Sequence, residues 1–248
     1  MSGHQSFQVA GVNACKAGWL LAIVEATRHG QYLFEPKRLF VAEDFAAGLL
    51  ATVDCKLVCI DIPIGLSEGD RPRQCDIAAR KVLGVKRASS VFPAPIRACV
   101  SYKNYIAANA ISRRVTGKGI SKQSFSILDR IRQVDSIITP QLQKRVREIH
   151  PEVCFWALNG HRPITENKQS GAGQTKRYEL LARVFHAVDK FVRTVNMKGY
   201  AIDDIYDALA AAYTAGQAAL DKAATLPANP ETDANGLTVE MVYPVGGI

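Results

Sequence analysis

The chain has 248 residues, 48% of them hydrophobic and 22% charged, which suits one large globular domain or two small ones with a substantial buried core. No stretch approaches the roughly 18 consecutive apolar residues of a membrane span. The opening MSGHQSFQVA has neither the basic start nor the apolar core of an export signal, so a cytoplasmic protein without membrane association is expected.

The first elements read as strands. Phe7 to Val12 and Trp19 to Val24 are apolar runs joined through a turn containing Gly18, and a third strand from Gln31 to Phe40 follows the turn at His29-Gly30. Short links of this kind predict an antiparallel meander. A helix fits Ala42 to Ala51. The run Leu57 to Ile62, ending at Pro63, is apolar on both faces, as a central parallel strand is. A helix between a meander and such a strand starts an α/β pattern.

From Arg71 the chain turns helical. The spacing predicts helices over Arg71 to Leu83, stopped by Gly84, over a stretch capped by Ser101 and running towards Arg113, and over Phe125 to Ile138. Lys144 to Ile149 returns to strand character. Thr175 to Val192 and Ile202 to Leu220 read as two more helices, Pro227 to Asn235 as a loop, and Thr238 to Tyr243 as a short edge strand. The expected fold is a three-layer α/β domain spanning 1–248, with a mixed central sheet, helices on both faces and a helical insertion at about 65–140.

The six cysteines, at 15, 55, 59, 75, 99 and 154, form no C-x-x-C pair and read as reduced core thiols, not a zinc site. The net charge of +8 favours an anionic partner. Lys103, Arg113, Arg114, Lys118, Lys122, Arg130 and Arg132 crowd one segment, which is either a solvated helical face or a track for phosphates.

Three acidic groupings stand out. Asp61 is the one charge at the end of a buried-looking strand, where α/β sheets collect ligands; alternatively it caps the turn through Pro63. Asp204 and Asp207 are three apart in Asp203-Asp204-Ile205-Tyr206-Asp207, so they share a helix face, and the following alanine run permits close approach to a sheet. First-turn acids also simply favour a helix start. In Glu148-Ile149-His150-Pro151-Glu152, Glu148 and His150 point to one side of a strand and Glu152 can turn back towards them. Carboxylates suit hard cations, and an imidazole moves protons or serves structure. Finally, Ser89 to Pro95 is a stiff loop followed by Arg97. Either it positions substrate, with Arg97 on a phosphate, or it packs Phe92 into the core.

These groupings, in this order, resemble the ribonuclease H-like superfamily, whose first strand, central strand and C-terminal helix bring carboxylates around one or two magnesium ions. A closer similarity is to the domain-of-unknown-function family 429, a "predicted nuclease" family. It is carried by Gly11-Val12 with Gly18-Trp19, Asp61-Ile62-Pro63-Ile64-Gly65-Leu66, Cys75-Asp76-x-x-Ala79-Arg80, Ser90 to Arg97, Glu148 to Glu152 and Asp204-x-x-Asp207-Ala208. The resemblance implies a Mg2+- or Mn2+-dependent nuclease acting on nucleic acid. Asp61, Asp204, Asp207 and Glu148 would be metal ligands, His150 and Glu152 their catalytic neighbours, and Arg97, Lys118 and Lys122 contacts to the substrate. One departure is Asn13, where the family pattern has a first-strand aspartate. An amide offers a metal a carbonyl oxygen but no charge, so the alternative is a degenerate nuclease fold that binds nucleic acid or a protein without cutting. Phosphoryl transfer from a nucleotide is disfavoured, because Asn13 to Gly18 supplies one glycine and no acid, and Gly117-Lys118-Gly119 is no Walker loop.

Overall fold

The computed structural model describes residues 5–195 and 198–245. Strands β1 (Ser6–Cys15), β2 (Gly18–His29) and β3 (Gln31–Ala42) form the expected antiparallel meander. Helix α1 (Phe45–Ala51), capped by the Asp44 carboxylate on the Ala47 N–H, returns the chain to β4 (Cys55–Asp61). That strand lies parallel to β1 and to the short β5 (Val146–Glu148), giving the order β3-β2-β1-β4-β5. The protein is thus a three-layer α/β structure with a mixed sheet.

Alternation along β2 builds both faces of the core. Leu20, Ala22 and Val24 pack with helix α10 (Ile202–Ala218), while Trp19, Leu21 and Ile23 pack with α1 and α5 (Leu128–Asp135). Each large side chain so buried contributes about 1.5–3 kcal/mol. Helix α10 lies directly against the sheet. A Cβ on Gly11 would sit 2.0 Å from the Ala208 carbonyl oxygen and 2.2 Å from the Ala212 N. Glycine on the strand and alanine on the helix are therefore the condition for this contact, which sets the first turn of α10 over the carboxyl ends of β1 and β4.

Between β4 and β5 the chain runs through α2 (Gln74–Arg87), α3 (Tyr105–Thr116), α4 (Lys122–Ser126), α5 and α6 (Pro140–Gln143). Past β5 come α7 (Pro151–Leu158), α8 (Gly171–Val184) and α9 (Val188–Thr194), then α10 and a separate two-stranded sheet of β6 (Ala223–Thr232) and β7 (Thr238–Pro244).

Several boundaries differ from expectation. Asn104, not Ser101, caps α3, its side chain accepting from the Ala107 N–H. The helix expected over Phe125–Ile138 breaks at Ile127, and the one over Thr175–Val192 breaks where Phe185 is extended and Ala187 has φ 56°. Apolar spacing continues through both breaks, which is why periodicity alone misses them. Gly84 does leave the helix, with φ 66° and ψ 176°, although one further helical turn follows it. The segment from Pro227 is strand as far as Thr232, with Glu231 and Thr232 paired to β7 beyond an irregularity, and Thr238–Tyr243 belongs to this second sheet, not to the main one. All six cysteines are free thiols, five of them buried, as expected.

Candidate active site

In the register of β1 on β4, Asn13 lies opposite Asp61. Beside them β5 ends at Glu148, and His150 caps α7. The first turns of α10 bring in Asp204 and Asp207. Asn13, Asp61, Glu148, His150, Glu152, Asp204 and Asp207 all line one cavity of about 400 Å³. Residues up to 194 positions apart in sequence thus converge where the parallel strands end, as open α/β sheets arrange their ligand sites.

Their bonding divides them. Asp207 is buried; its Oδ2 accepts from the Lys168 ammonium at 2.8 Å, while its Oδ1 has no partner among the described residues. Among the described residues no group donates to either oxygen of Asp61. Burial, and then the neighbouring Asp207, push the Asp61 carboxyl up to about 8. Burial likewise raises Asp207 to about 6, against the pull of Lys168. Lys168 also lies 3.5 Å from Asp203. Burial opposes its charge, but Asp207, Asp61 and Asp203 outweigh that and hold it above its ordinary value. Asp204 is half occupied by structure: Oδ2 accepts from the Ala201 N–H and Oδ1 from the Asn13 amide at 3.2 Å.

The remaining acids are held by arginines. Arg73 is buried between Asp76 and Glu148. It donates from Nε and Nη2 to Asp76 Oδ1, and from Nη1 and Nη2 to the two oxygens of Glu148. The Ile64 N–H fills the rest of Glu148, and the Ala94 N–H reaches Asp76 Oδ2. Cys75, Asp76 and Glu148 offer ligand atoms within 4.8 Å of one another, a spacing a metal ion can use. Here Arg73 already supplies the cation, and burial pushes the Cys75 thiol far above its ordinary value, away from a ligating thiolate. Glu152 Oε1 receives Arg87 at 2.7 Å and Arg177 at 2.6 Å, leaving Oε2 without a donor. His150 Nδ1 accepts from the Glu152 N–H, so the ring's other nitrogen, Nε2, carries the proton and donates to the Ser90 carbonyl. Burial lowers its tendency to charge. The imidazole is neutral and both its nitrogens are engaged.

The family model for a protein of unknown function (DUF429) matches residues 11–232. The chain belongs to that family. No curated protein and no solved structure matches it. The matched range contains Asn13 on β1 and every acid that lines the cavity, from Asp61 on β4 to Asp207 on α10, and stops at the last residue of β6.

The three residues expected to hold substrate lie elsewhere. Arg97 is bound by Asp135 at 2.9 Å, Asp233 at 2.5 Å and Glu68 at 2.8 Å, and none of these lines the cavity. Lys122 sits over the Tyr105 ring and Lys118 is exposed; neither borders the cavity. Part of the basic segment also serves structure: Arg130 covers Trp19 and donates to the Cys15 carbonyl, and Arg132 donates to the carbonyls of Val100 and Tyr102. Four important residues carried no sequence signal: Arg73 and Arg87 at the two ends of α2, Lys168 in a polar loop, and the fully buried Arg177. Each is a cation in a polar context, and only the folded chain shows which carboxylate it meets.

Proposed function

We propose that the cavity is the active site of a divalent-metal-dependent nuclease that hydrolyses phosphodiester bonds of nucleic acid. The observation that carries this reading is the buried Asp207 oxygen without a donor, next to an Asp61 carboxylate with none at all. Two such groups repel, and burying an unpaired charge is costly. Hard cations with oxygen ligands relieve both terms, so the donor set fits Mg2+ or Mn2+. Asp61 and Asp207 would hold the ion, with the Asn13 carbonyl and the remaining lone pairs of Asp204 in reserve. When bound, such an ion orients and acidifies water and offsets charge on a leaving oxygen. Lys168, carried on a loop beside Asp207, places a positive charge where a phosphate would enter. Arg73 and the neutral His150 keep the strand ends and α7 in position. The resemblance to ribonuclease H-like enzymes supports the same reading on the central strand and the C-terminal helix, here β4 with Asp61 and α10 with Asp204 and Asp207, while β1 brings Asn13 where that pattern has an acid.

The test is cleavage of single-stranded, duplex and branched DNA and RNA in Mg2+ and in Mn2+, comparing wild type with Asp61→Ala. The expected result is metal-dependent cleavage that falls at least a hundredfold in the variant; equal activity in both refutes the assignment. A second reading, binding without cleavage, is favoured by Asn13, whose amide donates to Asp204 where the family pattern has an acid. Asn13→Asp separates the two. If wild type is inert and the variant gains both Mn2+ affinity and cleavage, the protein is an eroded enzyme; cleavage by wild type removes this alternative.

A further inference from the structure

The loop that the sequence marks as stiff lends Ser90, Val91 and Phe92 to the cavity wall, and Phe92 has no part in the metal chemistry. Its backbone is fastened from four sides. The Ser90 carbonyl faces His150 Nε2, the Val91 carbonyl accepts from Arg80 at 2.6 Å, the Pro93 carbonyl accepts from the Ser124 hydroxyl at 2.7 Å, and the Ala94 N–H donates to Asp76 at 3.2 Å. Pro93 and Pro95 fix two further φ angles. Val91 is buried at 2% exposure, yet Phe92, next to it, is 36% exposed and borders the cavity. Of the two readings of this loop, the one that packs Phe92 into the core does not hold. About a third of this ring is therefore open on the cavity side of a loop whose backbone is held in place. The same cavity is lined by the apolar Val91, Ile127 and Met241, by the cations Lys168 and Arg87, and by Asp61 and Asp207.

We propose that the cavity admits a single unpaired nucleotide whose base stacks on Phe92, so that the substrate is a single strand, an unpaired end or an extruded nucleotide. This deepens the nuclease reading and rests on it for the identity of the ligand. A space of about 400 Å³ has the size that encloses a small molecule and excludes a base pair with both its backbones. An aromatic face is a stacking platform that tolerates any base. A base can lie on that ring only once it has left the duplex stack. The rigid loop prepays the ordering of the ring, so the stacking energy appears in affinity.

The experiment measures binding by fluorescence polarisation in Mg2+, with short phosphorothioate-linked probes to suppress cleavage. The probes are single-stranded DNA, single-stranded RNA and blunt duplex DNA, and the proteins are wild type, Phe92→Ala and Phe92→Trp. Matching thermal melts verify the fold of each variant. Wild type is expected to prefer single strands over the duplex at least tenfold. Phe92→Ala should lose about tenfold on single strands, the effect of one stacked base, with little change on the duplex, and Phe92→Trp should restore binding. The DNA and RNA arms show which sugar is accepted. An equal loss on the duplex, or none on single strands, overturns the stacking assignment and leaves the nuclease reading standing. The expected pattern without metal-dependent cleavage of any unmodified substrate supports the pocket and overturns the nuclease reading. Failure of wild type to bind every probe overturns both.

Discussion

Two charge clusters border the same cavity, the one around Arg73 buried and the one around Lys168 partly open, and their bonding is opposite. Around Arg73 each oxygen of Asp76 and Glu148 has a donor, from the guanidinium or from the N–H groups of Ile64 and Ala94. Around Lys168, among the described residues, one oxygen of Asp207 and both of Asp61 are without donors. A satisfied network rigidifies the fold, whereas a partly satisfied one marks strain tolerated for another purpose. The difference teaches that convergence of acids is not enough to identify a site. What the oxygens already touch decides which of two adjacent clusters is framework and which is free for chemistry.

The comparison breaks most visibly at Arg73. Arg73→Met removes the one cation from between two buried carboxylates and should cost about 3–5 kcal/mol, read as a lower urea midpoint, whereas Lys168→Met should change the midpoint far less. Should the two variants be equally destabilised, the distinction between framework and site fails.

Metal affinity gives the next largest effect. Asp61 is pushed up to about 8 and Asp207 to about 6, so an ion must displace protons at neutral pH. Mn2+ affinity, followed by isothermal titration, should rise between pH 6 and 8 by up to about tenfold per unit as one proton is displaced. A flat profile would mean that neither carboxylate is a ligand.

Asp61 also makes stability depend on pH. Its folded-state value lies above its ordinary one, so the folded protein keeps a proton that the unfolded chain releases. That contribution is fully present below about pH 4 and is lost as pH rises through about 8. Asp61→Asn imitates the protonated form. It should therefore be more stable than wild type at pH 9 without metal, by on the order of 2 kcal/mol once water in the cavity is allowed for, with no advantage near pH 4. Melting curves at both pH values check the sign.

The smallest expected effect belongs to Lys168. Its ammonium neutralises Asp207 when no ion is bound, so Lys168→Met should bind Mn2+ about tenfold more tightly, or about 1.4 kcal/mol, in the absence of nucleic acid. Weaker binding in the variant would show that Lys168 holds the site together and does not compete for it.

Much of this was legible from residue order. Asp61 stood out because a lone charge at the end of an apolar strand needs a reason, and Asp207 because a carboxylate ahead of an alanine run must lie where helix and sheet touch. Glu148, His150 and Glu152 were legible as a group, though their bonding differs from a ligand set: Arg73 saturates Glu148, and His150 caps a helix. The substrate-facing side was not legible. Arg97, Lys118 and Lys122 stood out by charge alone, and charge does not specify a partner. Phe92 offered two readings that only its exposure could separate.

The sequence by itself determined the strand meander, the central strand and the α10 contact, because burial periodicity and small residues are local properties with one cheap solution each. Tertiary structure alone decided where helices break, that the Pro227 segment pairs with β7, and which cation meets which acid. Those outcomes depend on pairing energies between residues far apart in the chain, and no local pattern encodes the distance between them.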